Sequence, residues 1–113
     1  MNKREAIDLA NNQYNASLTT SNTHFSNINQ TKSVWWLEIP ISKIKLDTLT
    51  DINLLLKDKQ ALHWLKVSTA FLKGNLQGFK VRDNKGVICL ELDINTFYNI
   101  VGPARVSFKP FIQ

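Results

Sequence analysis

At 113 residues, with 43% hydrophobic and 20% charged side chains, the chain has the makeup of one globular domain and no room for two. The net charge of +5 favours anionic partners, and the excess sits late: residues 1–50 hold five Lys/Arg against four Asp/Glu, residues 51–113 nine against five. A single cysteine, Cys89, excludes an internal disulfide or a multi-cysteine zinc site, and no apolar run approaches the roughly 20 residues of a membrane span or the core of a signal peptide, so the expectation is a cytoplasmic protein.

In chain order, residues 3–14 (KREAIDLANNQY) space Ile7, Ala10 and Tyr14 along one face with Ala6 and Leu9 beside them, which predicts a short amphipathic helix. Residues 15–31 are dominated by Asn, Ser and Thr, whose side chains compete for backbone hydrogen bonds, and read as a loop anchored by Leu18, Phe25 and Ile28. From Ser33 the pattern turns to β. Trp35, Leu37 and Ile39 share one face; Val34, Trp36 and Glu38 share the other; Pro40 ends the strand by removing a donor.

The runs DINLLLK (51–57) and ALHWLKV (61–67) predict a hairpin in which Leu56 pairs with Ala61, Leu54 with His63 and Ile52 with Leu65. Trp64 then falls opposite Asn53, with Leu62 and Lys66 on its face. The clearest local signal is GFKVRDNKGVICLEL (78–92), where the DNKG turn pairs Arg82 with Val87, Val81 with Ile88 and Phe79 with Leu90. One face becomes Phe79, Val81, Ile88, Leu90 and Leu92, and the other Lys80, Arg82, Val87, Cys89 and Glu91. Beyond it, Asp93 is placed to cap a short helix over INTFYNIV, ended by Gly102 and Pro103, and ARVSFKPF reads as a last strand. The fold class expected is α+β: an N-terminal helix and one short later helix packed on an antiparallel sheet of five or six strands, all in one domain over 1–113.

Residues able to carry catalysis are sparse. His24 lies in the polar loop and His63 in a strand, neither with a partner at metal-ligand spacing, and Cys89 has no neighbour in sequence to activate it. Glu91 and Asp93 at a strand end form no carboxylate cluster of the kind that holds a nuclease metal, and glycines 74, 78, 86 and 102 form no phosphate loop. No catalytic residue, metal or cofactor is therefore expected, and the protein reads as a non-enzyme.

The adjacent tryptophans raise the functional question, because Trp35 and Trp36 point to opposite faces of their strand. If Trp35 faces the core, the reverse face gathers Trp36, Leu55, Leu62 and Trp64, with Lys57, Lys66, Lys80 and Arg82 as basic neighbours. Such a face suits cover by the chain's own helix, a dimer interface, or a platform that stacks bases and contacts phosphates. The reading adopted is an interaction module that self-associates, most simply as a dimer, or binds another protein through Trp36, Leu55, Leu62 and Trp64; the alternative is a nucleic-acid-binding module using the same face and its basic rim.

The run SNTHFSNINQTKSVWWLEIP, with the LLL strand, the WLKV strand and the closing FKVRDNKGVICLELD hairpin, resembles a group of small bacterial proteins of accessory or mobile DNA. The resemblance implies an N-terminal helix, an Asn-rich bend, a Trp-rich strand and an antiparallel sheet. It implies no activity and no catalytic residue.

Overall fold

A computed structural model describes all of residues 1–113. Six strands form one sheet: β1 (Thr23–Asn29), β2 (Val34–Pro40), β3 (Asp51–Lys57), β4 (Leu62–Ser68), β5 (Lys80–Arg82) and β6 (Val87–Asp93), in the spatial order β4-β3-β1-β2-β6-β5. Helix α1 (Lys3–Tyr14) precedes them, α2 (Ile41–Ile44) follows β2, and α3 (Thr69–Gly74) follows β4. The architecture is α+β, as the sequence predicts, with a sheet that is mostly antiparallel; the one departure is a parallel pair, β1 with β3.

The parallel pair follows from a strand that the sequence reading leaves in the polar loop. In β1 the two large apolar residues, Phe25 and Ile28, stand three apart and so face opposite sides of the sheet, which hides the period of two. Phe25 packs beneath α1, and Ile28 packs on the main core. The chain returns along β2, crosses the core face through α2, whose Ile44 is fully buried, and lays β3 on the far side of β1.

The main core lies on one face of the sheet and is built from the positions that alternate inward: Trp35, Leu37 and Ile39 from β2, Ile52, Leu54 and Leu56 from β3, Leu65 and Val67 from β4, and Ile88, Leu90 and Leu92 from β6. Each of the aliphatic side chains buried there contributes about 1.5 to 3 kcal/mol relative to exposure. Trp35 is wholly buried, and its indole N–H is satisfied by the Lys57 carbonyl at 3.0 Å. The β5–β6 hairpin has the expected register, with Arg82 opposite Val87, Val81 opposite Ile88 and Lys80 opposite Cys89; Phe79 lies just before β5 and is buried in the core.

Three further expectations are corrected. The β3–β4 register is shifted by two residues, so that Leu56 faces His63, Leu54 faces Leu65 and Leu55 faces Trp64. The cause is the turn Asp58–Ala61, where the Asp58 carboxylate accepts the N–H groups of Gln60 and Ala61, both at 2.8 Å, and the Asp58 N–H donates to the Ala61 carbonyl at 3.0 Å. Because the shift is even, the residues facing the core are unchanged. Second, Asp93 does accept the N–H groups of Asn95 and Thr96, but Phe97 has φ 61 and no helix follows. Third, no strand forms over 104–111. Residues 94–113 instead run beside β6, with Asn99 opposite Leu92, and then strap the core face, burying Phe108 and ending on β4 with Ile112 opposite Leu65. Gly102, at φ +92, makes the strap possible beside β5, since a Cβ there would stand 2.6 Å from the Lys80 nitrogen.

Candidate interaction face

The face of the sheet away from the main core is treated in two ways. Over β1, β3 and β4 it is covered by α1. That helix starts on a capping box, in which Asn2 Oδ1 accepts the Glu5 N–H at 2.9 Å and Glu5 Oε1 accepts the Asn2 N–H at 3.1 Å. It ends at Asn15 in the left-handed conformation, φ 52. Ala6 and Ala10 are fully buried, and their small side chains let the helix lie close to the sheet, where with Ile7 and Leu18 they enclose Leu55 and Leu62.

Trp64 belongs to this covered half. Tyr14 packs edge-on against it at 5.1 Å, and its indole N–H donates to the buried Asn53 Oδ1 at 2.9 Å. The proposed four-residue face is therefore divided, with Leu55, Leu62 and Trp64 under the chain's own helix and Trp36 outside it.

Over β2, β6 and β5 the cover is uneven: of the outward side chains Val34 and Cys89 are buried and Glu38 and Glu91 partly so, while Trp36 projects. Trp36 is 48% exposed. Beside it across the sheet stands Glu91, and next to Glu91 stands Ile100, whose N–H donates to the Glu91 carbonyl at 2.9 Å. Ile100 and its neighbour Tyr98 are exposed as well. One row further along, Glu38, Cys89 and Lys80 lie side by side. Tyr98 and Ile100 are the members of this face that sequence reading assigns to a helix; their alternation about Asn99, which is fully buried, is the signal for an extended segment.

The charges on this half are mostly paired. Arg82 Nη1 is 3.2 Å and Lys85 Nζ 3.9 Å from Glu38 Oε2, and Lys32 Nζ is 3.4 Å from Glu91 Oε1. The four bases expected to form one rim do not converge. Lys66 stands on β4 and Lys80 and Arg82 on β5, the two outermost strands, while Lys57 donates to the Asp58 carbonyl at the far turn. Cys89 is buried, with its sulfur 3.9 Å from Glu38 Oε2.

Away from this face, Asp58 Oδ2 and His63 Nε2 are 2.7 Å apart. Burial works to raise the Asp58 pKa, but the hydrogen bonds from His63 and from the Gln60 and Ala61 N–H groups prevail and hold the carboxyl at about 2. The largest cleft, about 460 Å³, opens nearby where three turns meet, lined mainly by polar residues such as Gln30, Ser33, Gln60 and Asn95. No group of three or more His, Cys, Asp or Glu side chains is disposed to hold a metal ion, and no helix is long and apolar enough to cross a membrane. Set against protein-family models, curated proteins and solved structures, the chain matches none of them.

Proposed function

We propose that this chain is a non-enzymatic interaction module of the cytoplasm that docks a second copy of itself through the uncovered half of the outer sheet face. The observation that carries the reading is Trp36, a large apolar side chain held half-exposed on a strand flanked by others, in one row with exposed Ile100. Aromatic side chains fixed on a rigid element are the usual anchors of protein interfaces, and two-fold dimers are the commonest way to cover such a patch.

The polar residues support a copy of the same chain as the occupant. A two-fold axis along β6 sets Trp36 against the partner's Ile100, and Glu38 against the partner's Lys80, because these residues flank β6 on opposite sides. Glu91 then lies near the axis, where Lys32 neutralises it. The nucleic-acid alternative has less support. Glu38 and Glu91 stand within the face and engage Arg82, Lys85 and Lys32, so a phosphate chain would meet carboxylates where it needs free cations.

Sedimentation equilibrium at two protein concentrations tests the proposal. The wild type is expected to dimerise, and Trp36→Glu to give a monomer with an unchanged circular dichroism spectrum. Glu38→Lys should weaken the dimer, and adding Lys80→Glu to the same chain should restore it by exchanging the charges. A wild type that remains monomeric at both concentrations overturns the reading.

A further inference from the structure

The sheet opens at one place. β1 and β2 pair only through Ile28 with Trp35 and Asn29 with Val34, so towards the start of β1 and the end of β2 the two strands separate. His24 from β1 and Lys43 from α2 meet at that splayed end, and the charge of Lys3, from α1, acts on both. Lys43 Nζ lies 3.3 Å from His24 Nε2, and Lys3 Nζ donates to the Thr20 carbonyl at 2.8 Å.

These groups lack counter-ions. The ion pairs of the molecule are Lys32–Glu91, His63–Asp58, Arg82–Glu38 and Lys85–Glu38, and none involves Lys3 or Lys43. All three side chains are partly buried, which strengthens the repulsion between the Lys43 and Lys3 ammoniums, and of either with a protonated His24, relative to open solvent. Burial, then Lys43, then Lys3 push the His24 pKa down to about 4, and burial and Lys3 lower that of Lys43. At neutral pH His24 is therefore an uncharged acceptor for the Lys43 ammonium. An ammonium has three N–H donors, so Lys43 and Lys3, each using one on the protein, keep two apiece for a ligand.

We propose that His24, Lys43 and Lys3 form a binding site for a phosphate group. Two uncompensated ammoniums with several spare donors match a tetrahedral oxyanion better than a planar carboxylate, which offers only two oxygens, and a bound dianion offsets the repulsion between Lys43 and Lys3. The inference does not rest on the dimer reading, since none of the three residues belongs to the row of Trp36 and Ile100.

The test uses the full chain and inorganic phosphate, titrated against chloride at constant ionic strength, with binding followed by calorimetry and by the imidazole resonances of His24. Saturable binding is expected, together with a rise of the His24 pKa from about 4 towards its ordinary value, because an adjacent anion favours the charged ring. Lys43→Gln and Lys3→Gln should each weaken binding at least tenfold, while Lys45→Gln, an exposed neighbour, should leave it unchanged. A short single-stranded oligonucleotide that displaces phosphate identifies a phosphodiester as the source of the group; failure to displace it identifies a free phosphate or monoester. Phosphate that behaves like chloride, or binding that survives in Lys43→Gln with an unchanged fold, overturns the proposal.

Discussion

Under α1 the outward side chains include Phe25, Leu55, Leu62 and Trp64, whereas on β2, β6 and β5 equivalent outward positions carry Glu38, Glu91, Lys80 and Arg82 with Trp36 among them. The two halves belong to one sheet and differ in what they are matched to. In the covered half the polar groups are inside and satisfied, as with the Trp64 indole on Asn53 and the Asn53 amide on the Asn22 carbonyl at 3.3 Å. In the open half they are ion pairs at the water boundary, which contribute little to stability. A tryptophan thus means opposite things a few strands apart: Trp64 packs on a core, and Trp36 is half-exposed surface.

The sharpest way to break that contrast is to truncate both tryptophans. Trp64→Ala empties a packed site between α1 and the sheet and should cost about 3 to 5 kcal/mol in denaturant melts. Trp36→Ala should change the stability of the monomer by less than about 0.5 kcal/mol, as for most surface positions. Equal losses would mean that the open half is packed against something within the chain.

The bounds of α1 and the inward faces of β2, β3, β4 and β6 were legible in advance, since they follow from periodicity alone. The pairing Arg82 with Val87 followed from the DNKG turn. Other features were hidden for separate physical reasons. β1 was masked because its apolar residues serve both faces, Phe25 beneath the helix and Ile28 on the core. The Asp58 turn moved a register that strand pattern alone cannot distinguish from its neighbour two residues away. Trp36 was legible as an outward residue, but its companions Tyr98 and Ile100 were not, because a capping Asp93 ahead of INTFYNIV imitates a helix start. The cluster of His24, Lys43 and Lys3 depends on three distant segments meeting, which no local pattern encodes.

The next effect in size is a pH dependence located on the other side of the comparison, at the splayed end of β1. His24 binds its proton at about 4 in the folded chain and near 6.5 when unfolded, so between those values the unfolded state takes up more protons. Stability from this group is complete above pH 6.5 and is lost as pH falls towards 4, by at most about 3 kcal/mol. Urea melts across that window should show the decline in the wild type and not in His24→Gln. The carboxyls of Asp58 and Asp93, whose pKa values lie below the ordinary range, would add their own loss only at lower pH.

A smaller effect tests how independently α1 holds the covered half. Asn2→Ala removes the acceptor of the capping box and should cost about 1 kcal/mol, the usual value of a lost cap. The loss should appear as faster hydrogen exchange in the first turn of α1, with β2 and β6 unaffected. Exchange that quickens throughout the sheet would show that the two halves unfold as one unit.

The smallest effect concerns the ion pair that most resembles a structural contact on the open half. Arg82 reaches Glu38 at 3.2 Å, but its side chain is 45% exposed, and water and salt screen a pair in that position. Holding the long Arg side chain in one geometry also costs rotamer entropy, which offsets most of the attraction. Lys85, 3.9 Å from the same carboxylate oxygen, remains to compensate Glu38 when Arg82 is removed. Arg82→Ala should therefore alter monomer stability by less than about 0.5 kcal/mol, and raising the salt concentration should erase even that difference. A loss comparable to that of Trp64→Ala, unchanged at high salt, would place Arg82 in a desolvated contact and end the distinction between a covered and an open half.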